Sequence, residues 1–499
     1  MTDANNNLET AAHPEGLRRV AIEPVSRVEG HGKVTLLLDE NDRVHQARFH
    51  IVEFRGFEKF IQGRPYWEAP VMVQRLCGIC PVSHHIAASK AMDMIVGATL
   101  TPTAEKVRRL MHYGQILQSH ALHFFHLSSP DLLFGFDSDV AKRNIVGIAA
   151  VYPEIAKQGV LLRKYGQEVI RITAGKRIHG TGSIPGGVNK NVSIEERDAL
   201  LKDIEQIVAW SREAVAMARR LFEQNLELYN GFGRFEAHTL NLVRADGALD
   251  LYHGGLRARD SNGNTLFDHY DYSHYWDVIF EDVKSWSYMK FPFLRSLGAE
   301  KGWYRVGPLT RVTQCDFIPT PLANQARMAF MAFDGGSATG ATLGFHWARM
   351  IEMLHAAEVI RELLHDPDLQ GSDLVSKGQR QERGVGVIEA PRGTLIHHYK
   401  VDEHDQITRC NLIVSTTHNN QAMNEAIRSV ARQYFDGRKL TEGLLNHIEV
   451  AIRAFDPCLS CATHALGKMP LEVELLDAEG GAVDSLRRPS DGAFCSPDR

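Results

Sequence analysis

Apolar positions recur along residues 34–38 and 44–52, and the intervening Asp39-Glu40-Asn41-Asp42 is turn chemistry, so a β hairpin is expected near the start of the chain. Beyond it the spacing changes to the helical period. Residues 66–76 predict a short helix and residues 83–96 another. Thr101-Pro102 supplies an N-cap and an N1 proline, and Leu110, Ile116, Leu117, Phe124 and Leu127 form one apolar stripe, which predicts a long helix to about residue 127. Ser193 and Glu196 have capping-box spacing ahead of a second long helix over 194–223, and residues 346–365 predict a third. Turn signals at Asp260-Ser261-Asn262-Gly263 and Asp402-Glu403-His404-Asp405 make hairpins of 248–272 and 394–414. A last helix over 444–454 stops just before Asp456-Pro457. The predicted fold is mixed and predominantly α, a core bundle of long helices with small peripheral antiparallel β hairpins and sheets.

No repeat, low-complexity tract or Pro/Gly linker cuts the chain. Residues 20–464 are therefore expected to form one large domain behind a flexible tail, 1–19. Composition changes this picture little: 44% hydrophobic, 23% charged and a formal net charge of -5 describe an ordinary globular chain, with nothing that favours nucleic acid or an anionic membrane. No apolar run approaches the ~18 residues of a membrane span, and the polar, Asn-rich start has no signal-peptide core, so a cytoplasmic location is expected.

The cysteines carry more information. Seven are present, and four fall into two pairs, Cys77/Cys80 and Cys458/Cys461, where random placement would give only about 0.08 such pairs. Each C-x-x-C turn can aim two sulfurs at one ion, so four thiolates can make one soft site. Spacing alone favours a structural zinc site, ahead of a soft-metal redox centre and of unrelated dithiols.

The flanking residues redirect that reading. The first pair stands in Arg75-Leu76-Cys77-Gly78-Ile79-Cys80-Pro81-Val82-Ser83-His84, and the second in Asp456-Pro457-Cys458-Leu459-Ser460-Cys461-Ala462-Thr463-His464. With Arg27-Val28-Glu29-Gly30-His31, Arg55-Gly56-Phe57-Glu58 and Glu389-Ala390-Pro391-Arg392-Gly393 in the same order, the chain resembles nickel-iron hydrogenase large subunits from about residue 20 to 464. Glu58-Lys59-Phe60, Tyr66-Trp67-Glu68-Ala69-Pro70 and the stretch from Leu363 to Leu369 are similar to the NAD-reducing, bidirectional group.

The resemblance implies a site. Cys77, Cys80, Cys458 and Cys461 would ligate nickel, with Cys80 and Cys461 bridging to an iron that carries cyanide and carbon monoxide. Hydrogen would be split heterolytically there, the candidate bases being a terminal cysteine thiolate, Cys458, and Arg392, with Cys77 and Cys458 as the terminal ligands. Arg392, over the open position, suits polarising better than base chemistry because its guanidinium stays charged. Glu29 would be the first proton relay, although on local sequence alone a pairing with Arg27 or His31 is favoured. Glu58, His464 and the carbonyl of Leu412 would bind magnesium, the alternative for Glu58 being a solvated charge. Asp456 would orient Arg392, and Thr416 would hydrogen-bond an iron-bound cyanide. Two positions depart from the family's pattern: Ser119 stands where an aspartate is expected, and Ser415 replaces a proline. His112, His120, His123 and His126, on one helix, are read as packing residues.

Cys315, Cys410 and Cys495 lack iron-sulfur spacing, and Gly180-Thr181-Gly182 and Gly384-Val385-Gly386 do not continue into a dinucleotide fingerprint. Iron-sulfur clusters, FMN and NAD are therefore expected on partners, which the resemblance supplies: a flavin-containing diaphorase pair and a small iron-sulfur subunit. It also implies a maturation endopeptidase that cuts between His464 and Ala465, releasing residues 465–499. Competing readings are a hydrogenase serving another acceptor such as a deazaflavin, a metal-free relative in the quinone-site subunit of respiratory complex I, and a zinc-stabilised binding protein.

Overall fold

Three strands open the chain, β1 (Arg18–Ile22), β2 (Gly32–Leu38) and β3 (Val44–Ile51), antiparallel in that order. The hairpin is as expected, while Arg18 and Arg19, assigned above to a tail, pair with Leu38 and Leu37. This computed structural model describes residues 18–22, 25–39, 41, 43–51, 53–435, 442–463, 471–476 and 482–488.

The helical core follows, with α1 (Pro81–Ile95), α2 (Pro102–Leu122), α3 (Pro153–Ala174), α4 (Ile204–Gln224), α5 (Gly344–Leu364), α6 (Asn420–Tyr434) and α7 (Glu442–Ala454). Thr101 caps α2 by accepting the Ala104 N–H, and Ser193 and Glu196 complete their capping box. The α2 and α3 axes approach closely because glycines meet: a methyl on Gly166 would stand 2.7 Å from the Gly114 carbonyl oxygen. α2 then widens into a π turn at His123–Ser128.

Two helical expectations need correction. The stretch 194–223 is broken, with Ile194–Leu201 ending before α4, because the Tyr165 hydroxyl takes the Leu200 carbonyl (3.0 Å) that a continuous helix would offer to Ile204. Residues 66–76 form three short turns, Tyr66–Glu68, Ala69–Met72 and Val73–Leu76, since Pro70 has no N–H to continue a helix from.

Smaller sheets trim the bundle. β4 (His238–Val243), β5 (Gly255–Arg259) and β6 (Thr265–Tyr270) are antiparallel, with β7 (Tyr304–Arg305) added parallel to β4. β8 (Arg383–Ala390), β9 (Gly393–Val401) and β10 (Ile407–Ile413) form an antiparallel meander that packs on α1. A terminal hairpin, β11 (Leu471–Leu476) with β12 (Ala482–Arg488), lies beyond the second cysteine pair. Among the described residues no helix is long and apolar enough to cross a membrane.

A buried ion network fixes the β8–β9 turn against the bundle. Arg311 donates to both oxygens of Glu352 at 2.6 Å, to Glu389 at 2.8 Å, and to the carbonyl of Ala390 at 2.7 Å. Burial alone would raise the Glu352 pKa, but Arg311 and His120 hold it down at about 2. Because the folded value lies below the ordinary one, this stabilisation is complete above about pH 4.5 and is lost as pH falls toward 2. Denaturant unfolding is expected to show wild-type protein losing about 2 kcal/mol from this group between about pH 6 and pH 3. Glu352→Gln, which starts about 3 kcal/mol less stable, is expected to lose none of it.

Candidate metal centre

Each cysteine pair is set by the element beside it. Cys77 is extended at the end of the Val73–Leu76 turn, and Cys80 precedes Pro81, the N1 residue of α1. The 77–80 turn curls so that the Ile79 and Cys80 N–H groups donate to Cys77 Sγ at 3.2 and 3.1 Å. The second pair follows α7 through Asp456, a left-handed residue (φ 54°). An isolated parallel bridge joins Cys458 to Glu29, and the Leu459 N–H donates to the Glu29 carbonyl at 2.9 Å. Gly30 is required there, since a methyl at that position would lie 2.8 Å from the Ser460 nitrogen.

The two ends of the chain therefore meet. Cys77 Sγ lies 3.3 Å from Cys458 Sγ, Cys80 Sγ 4.0 Å from Cys461 Sγ, and Cys458 Sγ 2.7 Å from Cys461 Sγ; all four are buried and lie within 4.8 Å of one another. Burial, reinforced by the neighbouring sulfurs, pushes the Cys458 and Cys461 thiols well above the usual thiol value, while hydrogen bonds from Cys458, Cys461 and Cys77 hold Cys80 well below it. Four thiolates in so small a buried volume need a compensating cation. The donor set is all sulfur, which fits a soft transition metal and does not fit magnesium or calcium.

A narrow cleft opens on one side of the cluster, lined by Cys80, His84, Pro391, Arg392, Ser415 and Thr416 among others. Arg392 is fixed by Asp456, donating through Nε to its carbonyl (2.6 Å) and through Nη2 to its carboxylate (3.1 Å), whereas Nη1 is buried with no hydrogen-bond partner. Burial opposes the charge, but Asp456 and the sulfurs outweigh it and hold the guanidinium firmly protonated. Thr416 Oγ1 accepts the Cys458 N–H at 3.0 Å, which leaves its own hydrogen for the cleft. Ser415 donates to the Gly393 carbonyl at 2.7 Å, a bond that proline would lack. Among the described residues Ser119 Oγ is buried without a partner and Asp456 alone supplies a carboxylate to Arg392.

Glu29 does not make either of the pairings that local sequence favours. Arg27 pairs with Asp131 at 2.6 Å and His31 with Glu53, because the 26–31 segment turns its odd residues to different neighbours. The Glu29 carboxylate instead takes Cys458 Sγ at 3.0 Å, the Ser460 N–H at 3.1 Å and the Ser460 hydroxyl. The contribution of Ser460 was not foreseen; its only signal is its place between the two cysteines.

Glu58 is buried, not solvated: its Oε1 accepts the Leu412 N–H at 2.9 Å and lies 3.7 Å from Lys290 Nζ, which also reaches Glu281 at 3.1 Å. Burial raises the Glu58 pKa, with Lys290 opposing. His464 lies outside the described residues. The carbonyl of Thr463 accepts the Arg55 and Gly56 N–H groups at 3.0 and 3.3 Å, which brings the chain up to that position beside the turn carrying Glu58. Among the helix histidines, His112 meets the Leu251 carbonyl, His120 meets Glu352 and His123 meets the Arg453 carbonyl, all as packing residues.

Comparison with known proteins places this geometry in a family. A family profile described as nickel-dependent hydrogenase matches residues 55–138 and 250–464, and one described as HoxL-like matches 19–54. The chain is 49% identical over 487 residues to the NAD-reducing hydrogenase HoxS subunit beta of Cupriavidus necator, covering 94% of this chain and 100% of that one. It is 42% identical over 473 residues to a chain of the F420-non-reducing hydrogenase of Methanothermobacter thermautotrophicus, covering 93% and 99%. A crystal structure of an NAD+-reducing [NiFe]-hydrogenase in the H2-reduced state superposes with a TM-score of 0.88 at 61% identity, covering 90% of this chain and 100% of that one. A [NiFeSe] hydrogenase from Desulfovibrio vulgaris Hildenborough, at 24% identity and a TM-score of 0.74, shares the fold.

Proposed function

Because the chain belongs to the nickel-dependent hydrogenase family, we propose that it is the hydrogen-activating large subunit of an NAD-reducing hydrogenase. The observation that carries this reading is the convergence of four buried sulfurs from the two ends of the chain, in a protein alike over nearly its whole length to an NAD-reducing relative. The zinc-only and metal-free readings are not favoured, nor is a deazaflavin acceptor.

Cys77, Cys80, Cys458 and Cys461 would hold nickel, Cys80 and Cys461 would also hold an iron that carries cyanide and carbon monoxide, and Thr416 would hydrogen-bond a cyanide. When bound, this centre supplies a soft, redox-active pair at which hydrogen is split heterolytically. The chain's own residues handle the proton. Arg392 stays charged against Asp456, so its Nη1 polarises and does not accept. Cys458 Sγ passes its proton 3.0 Å to Glu29 Oε2, and Ser460 holds that carboxylate in place. Glu29 is itself half-buried, so a single transfer carries the proton from the dry cluster to the edge of the protein.

Glu58, His464 and the Leu412 carbonyl would bind magnesium. Two buried carboxylates, Glu58 and Glu281, share one ammonium, Lys290, and a hard cation suits that balance. Electrons would leave to a flavin-containing diaphorase pair by way of a small iron-sulfur subunit, in a cytoplasmic assembly. A maturation endopeptidase would remove residues 465–499, so intact-mass spectrometry of the chain from active complex is expected to find it ending at His464. A full-length mass in active enzyme would end that part of the proposal. The central test is metal analysis with an acceptor assay on the co-purified assembly. Nickel, with iron in excess of it because the partners' iron-sulfur clusters add to the total, together with hydrogen-dependent NAD reduction supports the reading; zinc in place of nickel, or reduction of a deazaflavin but not NAD, overturns it.

A further inference from the structure

We propose that His397 and Tyr399 are positioning residues that fix the ring of His84 as a hydrogen-bond donor toward Cys80. The three side chains form a buried chain: His84 Nδ1 lies 3.1 Å from His397 Nε2, and His397 Nδ1 lies 2.7 Å from the Tyr399 hydroxyl. Local structure explains the alignment. Residues 395, 397 and 399 alternate onto one face of β9, and the meander packs on α1. His84 follows Cys80 by four residues at the start of α1, so both point to one side, and both line the cleft with Leu395.

The direction of the hydrogen bonds follows from burial. Tyr399 is fully buried in an apolar cluster with Val401, Ile407 and Leu412, where burial keeps its hydroxyl neutral. Its one hydrogen-bond partner among the described residues is His397. A hydroxyl there that only accepted would leave its own hydrogen unpaired, so it donates to His397 Nδ1. The His397 proton then sits on Nε2 and is donated to His84 Nδ1. That assigns the His84 proton to Nε2, the nitrogen left to face the cleft that Cys80 also lines. The chain ends at Tyr399 inside apolar packing, where His397 is its one hydrogen-bond partner among the described residues, so it orients a ring and does not conduct protons.

A donor on the Cys80 sulfur withdraws electron density from whatever metal that sulfur holds. The inference rests on the reading of Cys80 as a ligand shared with iron, and the test separates the two. Infrared spectra of the purified complex are compared for the unsubstituted protein, Tyr399→Phe, His397→Leu and His397→Gln, with nickel and iron measured in each. Absence of nickel or of a carbon monoxide band in the unsubstituted complex would defeat the functional reading itself. With metals retained, Tyr399→Phe and His397→Leu are expected to move that band to lower wavenumber or split it, as the sulfur regains density. His397→Gln, whose amide can still donate to His84, is expected to hold it near its original position. An unchanged band in Tyr399→Phe with full metal content, or a move to higher wavenumber, overturns the inference; Tyr399→Phe decides the matter if the His397 variants lose metal.

Discussion

Cys461→Ser is expected to leave a complex that reduces NAD with hydrogen at less than about one-thousandth of the original rate and contains almost no nickel. Outer partners of metal ligands already cost about 10- to 100-fold when removed, and a ligand that serves two metals costs more. Cys461 is fully buried, with its sulfur 2.7 Å from Cys458 and 4.0 Å from Cys80, so no other donor among the described residues can take its place. Serine is smaller at that atom, harder, and far less acidic, so it is a poor ligand for a soft metal. The measurement is hydrogen-dependent NAD reduction with nickel and iron determined on the same preparation. Surviving activity would remove the catalytic assignment.

Glu29→Gln is expected to retain both metals and lose about 100- to 10,000-fold in hydrogen oxidation, the range of a single acid–base group. Glutamine keeps the length of the side chain and still accepts the Ser460 N–H, so the 29–31 segment should stay paired with Cys458. What it cannot do is take the proton from Cys458 Sγ. The loss should therefore appear equally in hydrogen oxidation and in exchange of hydrogen isotopes with solvent, while infrared and metal content stay near the original. A variant with full exchange activity would show that protons leave by another route.

What the sequence revealed follows from how local each interaction is. The Ser193/Glu196 box and the Thr101 cap are closed within three residues, so their spacing announced them. The break before α4 was invisible because its cause, the Tyr165 hydroxyl, lies 35 residues away. At the site the cysteine spacing and its flanking motifs point to the four sulfurs, and to Arg392 with Asp456, because each lies inside a short contiguous signature. The contacts of Ser460 with Glu29 and of Lys290 with Glu58 were not legible, because those residues reach them from 431 and 232 residues along the chain. His84 and His397 were hidden for the same reason, being 313 residues apart.

The pairing of Glu29 with Cys458 also imposes an order on biosynthesis. A ribosome adding about 5–20 residues per second needs about 20–80 s to cover the 381 positions from Cys77 to Cys458. Throughout that interval the nascent polypeptide carries half a binding pocket, a dithiol without its counterpart and a glutamate strand without its neighbour. A site that needs all four sulfurs therefore cannot assemble until position 461 has been added, so whatever ion it takes up clasps the two halves of the polypeptide together.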